Sequence, residues 1–116
     1  MPVIKIYCLP ESTEEKLTGL YRSIVHAVAS IPEIGVSDKK DISCLFIPDM
    51  MKYGLGTEII VEITGLYERP ERTEEVRNKL ATNIGEAVHS LYPSTELVEC
   101  FVFPFNPTQG FWSSRQ

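Results

Sequence analysis

The chain has 116 residues, room for one domain built on one core. Apolar residues at 43% and charged residues at 23% suit a water-soluble globular protein, and a formal net charge of -5 argues against nucleic acid or anionic membrane surfaces as partners. No apolar run approaches the ~20 residues of a membrane span, and Lys5 interrupts any signal-peptide core, so a cytoplasmic location is expected, with non-classical export left open. Cys44 and Cys100 fall in predicted strands and Cys8 at the end of one, without C-x-x-C spacing, which reads as reduced thiols in a reducing compartment. His26 and His89 lie on predicted helices away from any paired cysteine, so no metal site is expected.

The first predicted strand covers 2–7, with Ile4 and Ile6 on one face, Val3, Lys5 and Tyr7 on the other, and Leu9-Pro10 closing it. Ser12 with Glu15 three residues on has the spacing of a capping box. A helix is predicted over 13–29, where Leu17, Leu20, Tyr21, Ile24, Val25 and Val28 form one apolar stripe. After a turn-rich segment around Gly35 and Asp38-Lys39-Lys40, the second strand is predicted over 42–47, stopped by Pro48. A third strand over 58–64 ends at Gly65, and a second helix over 73–91 carries Val76, Leu80, Ile84, Ala87, Val88 and Leu91 on one side. The fourth strand is predicted over 97–103, stopped by Pro104, and a tail over 105–116 closes the chain.

The order is β-α-β followed by β-α-β. A shift of 60 positions lays Thr13-Glu14-Glu15 on Thr73-Glu74-Glu75, Leu20 on Leu80, Ile24 on Ile84 and Ala27-Val28 on Ala87-Val88. We read this as an internal duplication, with units at 2–48 and 58–104 inside a single domain. Each helix is long enough to cross between parallel strands, so two units give a four-stranded sheet with both helices on one face. All four strands carry apolar residues in both phases, for example Leu45 and Phe46, or Phe101 and Val102. A sheet apolar on both faces wants a second layer, and another subunit is the available source.

Pro2 has a chemistry of its own. Once Met1 is removed, its nitrogen is a free secondary amine with an unperturbed pKa near ~8. An apolar pocket lowers that value, because burial disfavours the charged form, and leaves a neutral base near physiological pH. Inside an unprocessed chain, Pro2 is only a strand-opening proline that lacks no needed ladder N–H.

Taken together, these features resemble the tautomerase superfamily, and within it the longer, duplicated members such as macrophage migration inhibitory factor. The resemblance covers nearly the whole chain. It rests on Met1-Pro2 opening a strand, the doubled β-α-β unit, Ile47-Pro48-Asp49 before a Gly-containing loop, Thr64-Gly65, and the tail pattern Asn106-x-x-x-Gly110-x-Trp112. It implies an α+β sandwich with a four-stranded mixed sheet, assembled as a homotrimer with a pocket at each subunit boundary. It also implies a cofactor-independent keto–enol proton transfer on a small α-keto acid, with Pro2 as the base. By the same resemblance the backbone N–H at Thr64 meets the polar end of the substrate. Phe101, Phe103, Phe111 and Trp112 supply apolar walls, and Asn106 is a further ligand. Each has a plainer identity: Thr64-Gly65 as a turn, Phe101 and Phe103 as core, Trp112 as packing on a neighbour, Asn106 as a turn starter.

The chain also departs from the family. Members of the bacterial 4-oxalocrotonate tautomerase type carry arginines where Glu11-Ser12 and Ser43 stand here, and the cytokine-like members place a lysine slightly before Lys39 and Lys40. Without a fixed cation, a substrate carboxylate loses a charge-assisted hydrogen bond of roughly 1.5–3 kcal/mol. Lys40 is the candidate replacement, against its reading as a solvated turn lysine; Lys5 and Arg69 are weaker candidates. Two further readings stay open. One is a non-catalytic trimer of the same fold, binding a ligand or signalling. The other is a ferredoxin-like small-molecule or metal-ion-handling module, with the same element order but an antiparallel sheet. Gly54-x-Gly56 leads into a strand and not into a helix N-terminus, which removes a phosphate loop.

Overall fold

Both helices begin where threonine can cap them. In the computed structural model, which describes residues 1–37 and 41–115, α1 runs Glu14–Ala29 and α2 runs Glu74–Leu91. Thr13 sits extended at φ -70°, ψ 157° and its hydroxyl accepts from the Lys16 N–H at 3.1 Å. Thr73 does the same for Val76 at 3.3 Å. Each cap satisfies an N–H that the first turn leaves without a helical partner, and paired acids follow each one. The expected capping box on Ser12 does not form. Its hydroxyl donates to the Pro10 carbonyl (2.7 Å) and meets the Tyr92 hydroxyl (2.8 Å), tying the entry of α1 to the exit of α2.

The strands are β1 Val3–Tyr7, β2 Ser43–Ile47, β3 Glu58–Tyr67 and β4 Leu97–Phe105, in the sheet order β2-β1-β3-β4. β1 and β2 pair in parallel, as do β3 and β4, and β1 meets β3 antiparallel with Val3 opposite Thr64. The sheet is mixed, and the parallel pairing of β1 with β2 eliminates the ferredoxin-like arrangement. Each pair is joined through a helix, as crossover geometry requires. One buried cluster holds Ile4, Ile6, Ile59, Val61 and Ile63 from the sheet against Leu20, Ile24 and Val28 of α1 and Leu80, Ile84 and Val88 of α2. Both helices therefore cover one face. Each fully buried Ile, Leu or Val there contributes about 1.5–3 kcal/mol.

Two strand ends differ from expectation. β3 does not stop at Gly65 but runs on to Tyr67, with its register against β4 shifting between Ile63 and Leu66. Gly65 adopts φ +73°, and the irregularity absorbs the extra residues without ending the strand. β4 passes through Pro104 to Phe105, because it is an edge strand where a missing N–H costs little.

The other face of the sheet lies open. Leu45, Leu97, Phe101 and Phe103 all point away from the helices and are exposed, with Phe101 and Phe103 stacked at 6.3 Å between ring centroids. Between the apolar edges of this face runs a polar middle, where Lys5 stands opposite both Leu45 and Glu62.

Candidate active site

Antiparallel pairing of β1 with β3 brings the start of the chain beside the end of β3. Pro2 is buried there, while Met1 is 60% exposed. Pro2 lines a cavity of about 220 Å³ with Ile34, Gly35, Val36, Asp41, Leu66, Arg72 and Arg115. A second cavity of about 700 Å³ adjoins it, walled by Val3, Gly65, Tyr67, Phe105, Phe111 and Arg115. Met1 and Arg115 line both, so the two chambers meet at the N-terminus. The smaller is polar in its charged groups and the larger is aromatic.

Arg72 is the most firmly held cation in the site. Its guanidinium donates to the Tyr67 and Ile34 carbonyls at 2.8 Å each and to the Glu33 carbonyl at 3.2 Å. Those bonds clamp the short 3-10 turn Pro32–Ile34 to the end of β3. A guanidinium carries about five N–H donors, which leaves two uncommitted. No carboxylate neutralises it among these contacts. Burial and neighbouring Arg69 push its pKa down, with Glu71 opposing. The terminal amine feels this charge. Burial first, then Arg72 and Arg69, push the Met1 amine below its ordinary value, while Asp41 pulls it up.

Gly65 decides how close the N-terminus can lie. A Cβ built on it would stand 2.7 Å from the Met1 carbonyl oxygen, below any tolerable contact, and φ +73° disfavours a side chain in any case. The absent side chain makes room for whatever is bonded to the Pro2 nitrogen.

The tail closes the aromatic side. Phe111 meets Tyr67 edge-on at 5.6 Å and Phe105 at 5.7 Å, and Tyr67 lies 6.5 Å from Phe105. These contacts pin the tail against the ends of β3 and β4. Asn106 orders the turn that leads there: its side-chain oxygen accepts from the Thr108 N–H (3.0 Å) and hydroxyl (2.7 Å).

Of the residues singled out in the sequence, Pro2 and Phe111 border these cavities. Thr64 pairs with Val3 and lines neither, although its neighbour Gly65 does. Phe101 and Phe103 stand on the open sheet face at 43% and 48% exposure, away from Pro2 of the same chain. Trp112 is 80% exposed, and Asn106 spends its side chain on a turn. Lys40 lies outside the described residues. Sequence reading missed Arg72, Arg115, Asp41, Tyr67 and Phe105. The available signal was Arg69-Pro70-Glu71-Arg72, two arginines flanking a turn between the third strand and the second helix.

Elsewhere, α2 and β4 border an open groove of about 530 Å³ lined by Glu86, His89, Glu96 and Cys100. No three His, Cys, Asp or Glu side chains converge there or anywhere else among the described residues in a way that would hold a metal. No helix among those residues is long and apolar enough to cross a membrane. Burial raises the Cys44 thiol to about 11 and Cys100 to about 12.

No protein-family model matches the chain, and no curated protein matches it by sequence. Solved structures do match. A native fused 4-OT superposes with a TM-score of 0.73 at 13% identity, covering 98% of this chain and 94% of that one. Pt0534 inactivated by 2-oxo-3-pentynoate gives 0.68 at 17% identity, covering 97% and 92%. A malonate semialdehyde decarboxylase gives 0.64 at 15% identity, covering 98% and 92%. The chain shares the fold of these structures. At these identities the likeness concerns the arrangement of elements over nearly the whole length.

Proposed function

We propose that the mature chain, beginning at Pro2, is a cofactor-independent tautomerase acting on a small α-keto acid. One observation carries this reading: Pro2 is buried in a cavity with Arg72, Arg115 and Asp41, at a chain end whose amine is pushed below its ordinary value. Removal of Met1 moves the free amine from an exposed residue to a buried one. Desolvation and the charges of Arg72 and Arg69 then act on the Pro2 nitrogen and favour its neutral, basic form. The neutral nitrogen takes a proton from the carbon beside the keto group. The electron pair left behind becomes the enolate, and the prolinium passes that proton to its oxygen, giving the enol and restoring the neutral amine. In the reverse direction the prolinium returns a proton to carbon. The two N–H donors left on Arg72 suit the substrate carboxylate or the developing oxyanion. The aromatic chamber of Tyr67, Phe105 and Phe111 suits an apolar arm, as in a phenylpyruvate-like acid. One structural neighbour, Pt0534, was inactivated by 2-oxo-3-pentynoate, itself a 2-oxo acid.

The open sheet face supports assembly as a homotrimer, and fused 4-OT neighbours are trimers. Lys40, Thr64, Asn106 and Trp112 remain proposed ligands only. Phe101 and Phe103 fit the assembly face better than the pocket of their own subunit.

A second reading rests on Met1. While it is attached, Pro2 nitrogen is an amide without basicity, and the chain is an anion-binding member of the fold. The test is enol–keto conversion of phenylpyruvate by protein whose N-terminal mass has been measured. Pro2→Ala is expected to lower kcat by roughly 10²–10⁴-fold with the trimer intact by sedimentation. An unchanged rate in that variant removes the mechanism, and a monomeric wild type removes the assembly.

A further inference from the structure

Arg115 stands apart from the other charged groups of the site. It borders both chambers, and among the described residues it is the one arginine or lysine that does so. Its backbone N–H donates to the Ser113 hydroxyl at 3.1 Å, but its guanidinium has no protein partner among the described residues. Arg72, by contrast, spends three donors on backbone carbonyls. The segment that carries Arg115 is not a loose end. Asn106 holds its first turn, Gly110 turns the chain at φ 63°, and Phe111 docks between Tyr67 and Phe105. The tail is thereby folded back across the N-terminus, with its uncommitted cation at the seam between the polar and the aromatic chamber. In a chain of formal charge -5, a cation held at such a seam marks where an anion belongs.

We propose that Arg115 is a specificity-determining residue that binds the substrate carboxylate, so that the C-terminal tail selects which acids the site accepts. The substrate class it fits is a monocarboxylate with a bulky apolar arm. The acid lies at the seam, within reach of Arg115 and the remaining donors of Arg72, and the arm lies among Tyr67, Phe105 and Phe111. Phe111 acts as a positioning residue for Arg115 as well as a wall.

The inference deepens the tautomerase reading, and it has a test independent of turnover. Calorimetric titration of the mature full-length chain with 3-phenylpropionate and with 3-phenylpropan-1-ol compares one apolar arm with and without a carboxylate. Arg115→Gln is expected to weaken the acid about tenfold, the lower end for a charge-assisted hydrogen bond, and to leave the alcohol unchanged. Arg115→Lys is expected to recover part of that loss. In turnover, Arg115→Gln raises KM for phenylpyruvate by a similar factor with kcat unchanged. Equal acid affinity in wild type and Arg115→Gln, equal loss for acid and alcohol, or no binding of the acid by wild type overturns the assignment. If the binding difference holds while wild type turns over no keto acid, Arg115 stands and the tautomerase reading fails.

Discussion

The two ends of the sheet solve the same backbone problem with opposite charges. At the β2–β3 end, Asp49 accepts from the Gly54 N–H and Glu58 from the Leu55 N–H, both at 2.8 Å. Carboxylates there satisfy loop donors, and the loop between them exposes Met50, Met51, Tyr53 and Leu55. At the N-terminal end Arg72 satisfies three carbonyls. The β2–β3 connection over 48–57 contains no arginine, and its one proline, Pro48, is an ordinary internal amide. The second gathers a buried Pro2, Arg72 and Arg115, with Arg69 close enough to act on the terminal amine. A loop clamp needs only one sign of charge to do its work. Under the proposed function, the cations gathered around buried Pro2 serve a ligand as well as the loop.

Substitutions separate the clamp from the ligand role. The largest effect is expected for Arg72→Ala. Losing the charged donors costs about 2–3 kcal/mol of stability, read by denaturant unfolding, and KM for phenylpyruvate rises. Removing that cation also lets the Pro2 amine pKa climb, so the acid limb of the pH–rate profile moves to higher pH. An unmoved limb would mean that Arg72 is a clamp and nothing more. Gly65→Ala is expected to cost about 1 kcal/mol through its left-handed backbone. It should lower kcat/KM by more than that figure implies, because the new Cβ enters the space around the Pro2 nitrogen. A loss of stability with kcat/KM intact would take Gly65 out of the site. The smallest effect is expected at the opposite end. Asp49→Ala removes one exposed hydrogen bond, worth about 0.5–1.5 kcal/mol, and leaves KM unchanged. A raised KM there would erase the contrast between the ends.

The helices and strands were legible because their periodicities are local. The Leu20–Ile24–Val28 stripe and its counterpart at Leu80–Ile84–Val88 state a buried face without reference to anything distant. The open face was legible in the same way, from apolar residues in both phases of β2 and β4. Pro2 was legible as a candidate because its chemistry is intrinsic to its position in the chain, and its role as the base belongs to the proposed function. The cations were not. Lys40 was favoured because it lies near the second strand in sequence, but sequence distance does not say which connections converge at one end of a sheet. Arg72 reaches Pro2 because β1 and β3 are antiparallel neighbours, with Val3 opposite Thr64, so the start of one meets the end of the other. Its carbonyl partners at Glu33 and Ile34 come from a third segment. Gly65 looked like a stop because glycine ends strands more often than it bends them, and only the register shift against β4 reveals the strand continuing.

The charge state of the Pro2 nitrogen is the most direct point of contact with experiment. In the mature chain, a ¹⁵N-labelled Pro2 followed by NMR across pH gives the pKa of the secondary amine without reference to any substrate. Burial and the arginines predict a midpoint clearly below the ~8 of an ordinary terminal amine, moving further down in Asp41→Asn as the opposing carboxylate is lost. A midpoint at or above that value would leave Pro2 protonated at neutral pH and contradict its role as the base.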